Sequence, residues 1–212
     1  MVHQTMPPED HARVTAAIRN AEERTAGEIY CVVARSSDSY FFPAAFMLAL
    51  AMLAVSLAIG FLLEYWWYDV RMPVFVSAQI LAFACALLVL QLFPGMCLFL
   101  VPPRLKYRQA HANSIKQFLA RNVHVTAERT GVLLFVSLAE HYAEVVADAG
   151  INQRVSQESW DRVVVVLTDH ARRDRLADGF VIAIDMVGAS LAEHFPVSAH
   201  DINELDDHLI EL

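Results

Sequence analysis

From Pro43 to Leu63 the chain carries no charged residue, and from Met72 to Pro103 it again carries none. A helix needs about 20 apolar residues to cross a hydrocarbon core of about 30 Å, so either run is long enough. Inside lipid every backbone donor and acceptor must be satisfied within the segment, and the two runs therefore predict a helical hairpin with spans over residues 43–63 and 73–100. Pro94 and Gly95 fall late in the second run. A straight helix from Pro73 to Val101 would measure about 43 Å, too long to stand upright, so a kink or an end is predicted there, with Met96 to Val101 lying along the interface.

The pattern outside this block is that of a soluble domain. Pro7, Pro8, Glu9 and Asp10 open a helix, with Thr5 as its cap; Val14, Ile18 and Ala21 form its apolar stripe, and Gly27 follows its end near Arg24. Glu28 to Ala34 is a short apolar, β-branched run and predicts a buried strand. Ser36 to Ser39 is a polar link. Beyond the hairpin, Arg104 to Asn122 predicts a basic helix with Leu105, Ala112, Ile115 and Leu119 on one face. Gly131 to Leu138 is the strongest strand signal, and Ala139 to His141 is too short for a crossover, so Tyr142 to Asp148 is predicted to return antiparallel. One helix is expected over Gln153 to Arg172, another over Arg175 to His194 with Pro196 beyond its end. Residues 199–212, with Asp201, Glu204, Asp206, Asp207 and Glu211, read as a partly ordered acidic tail. The chain thus divides into residues 1–42, a hairpin at 43–103, residues 104–198 of the same soluble domain, and the tail; the fold class is α/β, a small mixed sheet flanked by helices.

Composition sharpens this picture. Of 212 residues, 56% are apolar, and the hairpin supplies much of that excess. The net charge of −8 resides in the flanking segments and argues against general nucleic-acid binding, which needs clustered Lys and Arg. Cys31, Cys85 and Cys97 lie in apolar stretches and offer no disulfide framework. Glu9, Asp10, Glu22 and Glu23 leave no room for a cleavable signal peptide, so the first span is expected to direct insertion. Arg35 precedes the first span, and Arg104, Lys106 and Arg108 follow the second, while the loop from Glu64 holds only Arg71 among basic residues. This asymmetry predicts an inner-membrane, multi-pass chain with both termini cytoplasmic. Tyr65, Trp66, Trp67 and Tyr68 in that loop are the residues of an interfacial aromatic belt, and the three basic residues after the second span can meet anionic headgroups, at about 1 kcal/mol each.

Several motifs together resemble the TPM domain family: Thr25-Ala26-Gly27-Glu28-Ile29 at the first strand, Thr130 to Leu138 leading to Glu144 to Ile151, Trp160, and Leu176 to Phe180 ahead of His194-Phe195-Pro196. The hairpin after the first strand resembles a bacterial membrane-protein branch of that family. The resemblance implies a TPM-like α/β sandwich tied to membranes; acid-phosphatase activity and divalent-cation binding are proposed for some members, and upkeep of membrane complexes for plant relatives. Many members carry an Asn-Asp-Asn-Gly turn before the central strand, where this chain has Glu128-Arg129-Thr130-Gly131.

For chemistry, Asp38 after the first strand and Asp148 after the third are the candidate ligands of Ca²⁺ or Mg²⁺, with Glu28 and Glu144 as further donors should they face the same rim. An Asp at a strand end is also ordinary turn chemistry. No zinc spacing, Walker loop, dinucleotide fingerprint or Gly-x-Ser-x-Gly elbow occurs. Two functions remain in view: a membrane-tethered module that binds or assembles another membrane protein at the cytoplasmic face, and a metal-assisted acid phosphatase.

Overall fold

The computed structural model describes residues 6–66, 71–123, 129–197 and 208–212. They form two compact units, one from residues 1–37 and 107–212 and the other from residues 38–106.

The first unit is built on a four-stranded sheet. Its centre is β1 (Glu28–Ala34) paired in parallel with β2 (Gly131–Ser137), from Glu28 opposite Gly131 to Ala34 opposite Ser137. The third strand, β3 (Tyr142–Ala147), returns antiparallel along β2, as the short connection requires. Every residue of β1 and β2 is buried, which explains why both read as unbroken apolar runs and not as alternating ones. The side chains still alternate between faces. Ile29, Cys31 and Val33 join Val132, Leu134 and Val136 in the larger core, while Tyr30, Val32 and Ala34 join Leu133 and Phe135 on the opposite face.

Three long helices cover the first face. They are α1 (Pro8–Glu22), α7 (Gln157–Ala171) and α8 (Leu176–His194). Apolar residues of α8 at helical spacing, Phe180, Ile184, Val187 and Leu191, bury completely, each such side chain contributing about 1.5–3 kcal/mol. Close approach depends on small residues: a Cβ on Gly188 would stand 2.8 Å from Ala21 of α1, and one on Gly179 2.7 Å from His170 of α7. The other face is covered from α5 (Pro103–Ala120), which places Phe118 against the sheet, with Val123 just beyond the helix.

Two expectations are corrected. The helix expected over Gln153 to Arg172 is present as α7 but starts late, after Ser156, which is extended, and a separate one-turn helix, α6 (Ala149–Asn152), capped by Asp148, precedes it. Val155, between them, is drawn into the larger core, and that burial outweighs the helical continuity its neighbours favour. The C-terminal residues are not all tail, since Leu209–Glu211 forms a strand, β4, parallel to β1 at Cys31–Val33. Three residues are too few for a periodic signal, and the acidic residues before them masked it. The expectations for Thr5, Glu128 and the segment Asp201–Asp207 fall outside the described residues.

The second unit holds α2 (Phe41–Tyr65), α3 (Met72–Leu92) and α4 (Gly95–Leu100). Both long helices are long and apolar enough to cross a membrane, and their apolar side chains are largely exposed. The second span ends at Leu92, short of residue 100, because Pro94 lacks the amide that would continue the ladder. In place of a straight run, α4 turns back on the start of α2, and Tyr40, Ala44, Leu90, Cys97 and Val101 make a small core of their own. Gln79 of α3 donates to Ser56 of α2, one hydrogen bond in an otherwise apolar helix pair.

Gly131 is where backbone geometry is least forgiving. A Cβ there would lie 2.0 Å from the carbonyl oxygen of Val123. Gly131→Ala is therefore expected to destabilise the domain by about 3 kcal/mol, read as a fall in the thermal midpoint of the full chain in detergent. A midpoint within about 1 °C of wild type would show that the segment at Val123 yields freely.

Candidate functional site

Where β1 and β2 end side by side, the chain builds a polar knot in an apolar setting. The pairing continues past the strands, with Leu138 N–H donating to Ala34 O and Ala139 N–H to Arg35 O, both at 2.9 Å. The next residue, Glu140, is buried. Its carboxylate accepts from Ser37 N–H at 2.8 Å, from Ser36 Oγ at 3.3 Å and from Ser137 Oγ, while the hydroxyls of Ser37 and Ser137 lie 2.8 Å apart. A buried carboxylate is costly unless its lone pairs are filled, and here they are filled by the residues that lead out of the sheet toward the apolar block. Sequence reasoning passed over Glu140, taking Ala139 to His141 only as a tight connection; the Ser-x-x-Glu spacing from Ser137 was the available signal.

Beside this knot is a cavity of about 190 Å³, mostly apolar in its walls and touched by Ser137, His141, Thr168 and Arg172. A neighbouring groove of about 290 Å³ runs between the starts of α1 and α8. There Arg13 bridges Asp10 at 3.0 Å and Asp178 at 2.6 Å. The hydrogen bond from Arg13 holds the Asp178 carboxyl below the usual carboxylate range, and Asp178 in turn raises the Arg13 guanidinium. Both groups are exposed, so solvent screens the pair.

A third cluster joins α5 to β3. Glu144 accepts from Ser114 Oγ at 2.5 Å and Tyr142 OH at 3.0 Å, and it meets His111 Nδ1 at 2.8 Å. Burial, and then the charge of Glu144, push the Tyr142 phenol well above its ordinary value, so it remains a donor. Glu144 is thus held by its neighbours and not solvated as a mid-strand glutamate usually is. Glu28, at the start of β1, is buried. Burial likewise pushes the Cys31 thiol up, which leaves it a small apolar residue of the core.

The proposed metal pair fares differently. Asp148 Oδ1 accepts from Ala149 N–H at 2.5 Å and caps α6, while its Oδ2 is enclosed with no hydrogen-bond partner among the described residues. Asp38 Oδ1 accepts from Ser39 N–H at 2.7 Å, closing the turn into α2. Because β3 runs against β1 and β2, Asp148 N–H donates to Gly131 O at the start of β2. Ser37, one peptide bond before Asp38, sits at the end of β2 against Ser137. A strand of this length spans about 20 Å, so Asp38 and Asp148 belong to opposite ends of the sheet and cannot share an ion. Glu28 lies at the Asp148 end and Glu144 midway along β3, so the four carboxylates do not face one rim. Among the described residues no group of three or more His, Cys, Asp or Glu side chains is placed to hold a metal ion.

Of the membrane-interface residues, Tyr65 and Trp66 are exposed, with their rings edge to face at 6.5 Å. Trp67 and Tyr68 lie outside the described residues. Arg104 and Arg108 are exposed, whereas Lys106 Nζ donates to Leu98 O at 3.0 Å, so part of its hydrogen-bonding capacity goes to the end of α4.

These features define an α/β domain whose sequence is interrupted by a pair of membrane-length apolar helices. No protein-family model matches the sequence, and no curated protein matches it. The NMR structure of the BA42 protein from the psychrophilic bacterium Bizionia argentinensis is similar in fold, with a TM-score of 0.61 at 18% identity, covering 100% of this chain and 98% of that one.

Glu140→Ala would remove the acceptor of the Ser37 amide and of the buried Ser137 hydroxyl. The expected loss is about 2 kcal/mol, or roughly 5 °C in the thermal midpoint, with Glu140→Gln losing less because it keeps one acceptor. Equal midpoints for Glu140→Ala and wild type would mean that the knot does not hold the exit from the sheet.

Proposed function

We propose that this chain is a membrane-anchored, TPM-like domain protein that serves as an interaction or assembly module at the cytoplasmic face of a bacterial inner membrane, binding another membrane protein. One observation carries the reading: the soluble unit is assembled from residues on both sides of two membrane-length helices whose apolar side chains are largely exposed. Since a single folded unit receives both ends of the insertion, the chain must cross the bilayer an even number of times, and the basic residues Arg35, Arg104 and Arg108 favour the cytoplasmic side for that unit. The knot around Glu140 supports the same reading, because it braces the exit from the sheet and not an open catalytic centre. A metal-assisted phosphatase is the weaker alternative, as Asp38 and Asp148 stand at opposite ends of the sheet and no nucleophile, base and anion cradle converge.

Anchoring and orientation are tested on cells. The full chain is expected to resist carbonate extraction, with an impermeant maleimide labelling Glu64→Cys but not Glu9→Cys from outside; the reverse labelling would overturn the topology.

The activity is tested separately. A photoreactive residue in place of Arg108 is expected to give a discrete adduct with another membrane protein, and the purified chain to leave a generic phosphate ester intact with Mg²⁺ or Ca²⁺. Metal-dependent turnover that disappears in Asp148→Ala, with no adduct, would replace the module with the phosphatase.

A further inference from the structure

The cavity of about 190 Å³ beside the Glu140 knot has apolar walls from Val136, Leu138, Ala143 and Ala171, and three titratable side chains, His141, Arg172 and Asp174, border it. The backbone of all three is fastened. His141 N–H donates to Leu138 O at 3.1 Å, Arg172 N–H to Thr168 O at 3.1 Å and Asp174 N–H to Ala171 O at 3.2 Å. Their side chains are not: among the described residues none of the three makes a side-chain hydrogen bond or ion pair, and Arg172 and Asp174 do not pair with one another although they border the same space. The hydroxyls at the cavity are already committed, Ser137 to Glu140, Tyr142 to Glu144 and Thr168 to Val164 O. His141 and Asp174 also hold a left-handed backbone, with φ of 52° and 54°. Glycine adopts that conformation at least cost, yet a polar side chain is kept at both positions.

An apolar enclosure bordered by one cation and one anion selects its occupant on three counts. Water inside finds few partners on such walls, and the volume corresponds to roughly six waters at about 30 Å³ each, which an apolar group displaces with a gain. A guanidinium receives a carboxylate through two parallel hydrogen bonds, and an imidazole can add a further donor. The Asp174 carboxylate repels a simple anion and favours a ligand that also carries an ammonium group. The C-terminal end of α7 acts in the same sense, since it reaches the cavity through Thr168 and Ala171 and bears partial negative charge. Volume sets the size: pockets for drug-sized ligands run to about 300–1,000 Å³, so a smaller molecule fits here.

We propose that this cavity binds a free α-amino acid with an apolar side chain, which fills the enclosure while its carboxylate meets Arg172 and His141 and its ammonium group meets Asp174. The site goes beyond the reading of the chain as an interaction module and does not depend on it.

The test titrates the full chain in detergent with L-leucine, L-methionine and L-phenylalanine by calorimetry, while the methyl NMR signals of Val136, Leu138 and Thr168 report where binding occurs. At least one of the three is expected to bind with a Kd below about 1 mM and to move those signals. Glycine, and the bound amino acid stripped of its amino or of its carboxyl group, should each bind about tenfold more weakly. Arg172→Gln and Asp174→Asn should each weaken binding about tenfold and hold the thermal midpoint within about 2 °C, since neither side chain has a partner to lose. Equal binding of the acid without its amino group would make this a plain carboxylate site and overturn the amino-acid assignment. Unaltered binding in either variant, or no binding of any of the three amino acids, would overturn the site. A variant that fails to fold would show that its side chain serves the fold, and the proposal would fail with it. None of these outcomes touches the adduct at Arg108, so the module reading is judged separately.

Discussion

The parallel pairing of β1 with β2 is the constraint on which the rest depends. Two adjacent parallel strands cannot be joined by a tight turn, because the chain must travel back the length of the sheet before it can run forward again. In this protein that obligatory return contains the apolar block and α5. A connection that has to leave the sheet anyway is where a long insertion costs least, since loop-closure entropy grows only slowly with length. The hairpin is therefore inserted without altering the register of a single rung between Glu28–Gly131 and Ala34–Ser137.

The same constraint explains the polar knot. A parallel pair buried on both faces has its strand ends enclosed by helices and connections, and any backbone group left there needs a partner. Ser36, Ser37, Ser137 and Glu140 satisfy one another at the end of β1 from which the chain departs. At the other end Ala26 N–H and the Thr25 hydroxyl both donate to Phe195 O, and the Thr130 hydroxyl donates to Ala26 O, so the entry to both strands is tied to the end of α8. The two rims thus differ in kind: one is joined to a helix end, the other to the path toward the apolar helices.

Much of this was legible in the residues, and what was missed follows a physical pattern. Buried strands and amphipathic helices are written as runs and stripes, so β1, β2, β3, α1 and α8 emerged within a residue or two. The late start of α7 did not, because it depends on Val155 finding a place in a core that no local window describes. Nor did β4, whose three residues are defined by the edge they occupy and not by their own pattern. The site suffered most. Asp38 and Asp148 look equivalent as carboxylates that follow strands, yet strand direction sends them to opposite ends, and direction is a property of pairing that single strands do not carry. Glu140 and Glu144, one buried and one holding His111, Ser114 and Tyr142, drew less notice because, Ser137 and Tyr142 apart, the partners named lie 30 to 104 residues away in sequence.

Edges complete the argument. A four-stranded sheet has two, and here they are closed by different means. Along β3, Glu144 is engaged by α5 through charged and polar side chains, and the strand returns over its full length along β2. Along β1, closure falls to a strand half as long, fastened by one buried leucine, one carboxylate and the last residue of the chain. Six of the seven buried residues of β1 are apolar, and proteins ordinarily blunt an apolar sheet edge with charge or proline. This chain instead covers it with β4, whose Leu209 packs into the larger core and whose Glu211 carboxylate is received by the Met6 amide and His11 at the start of α1.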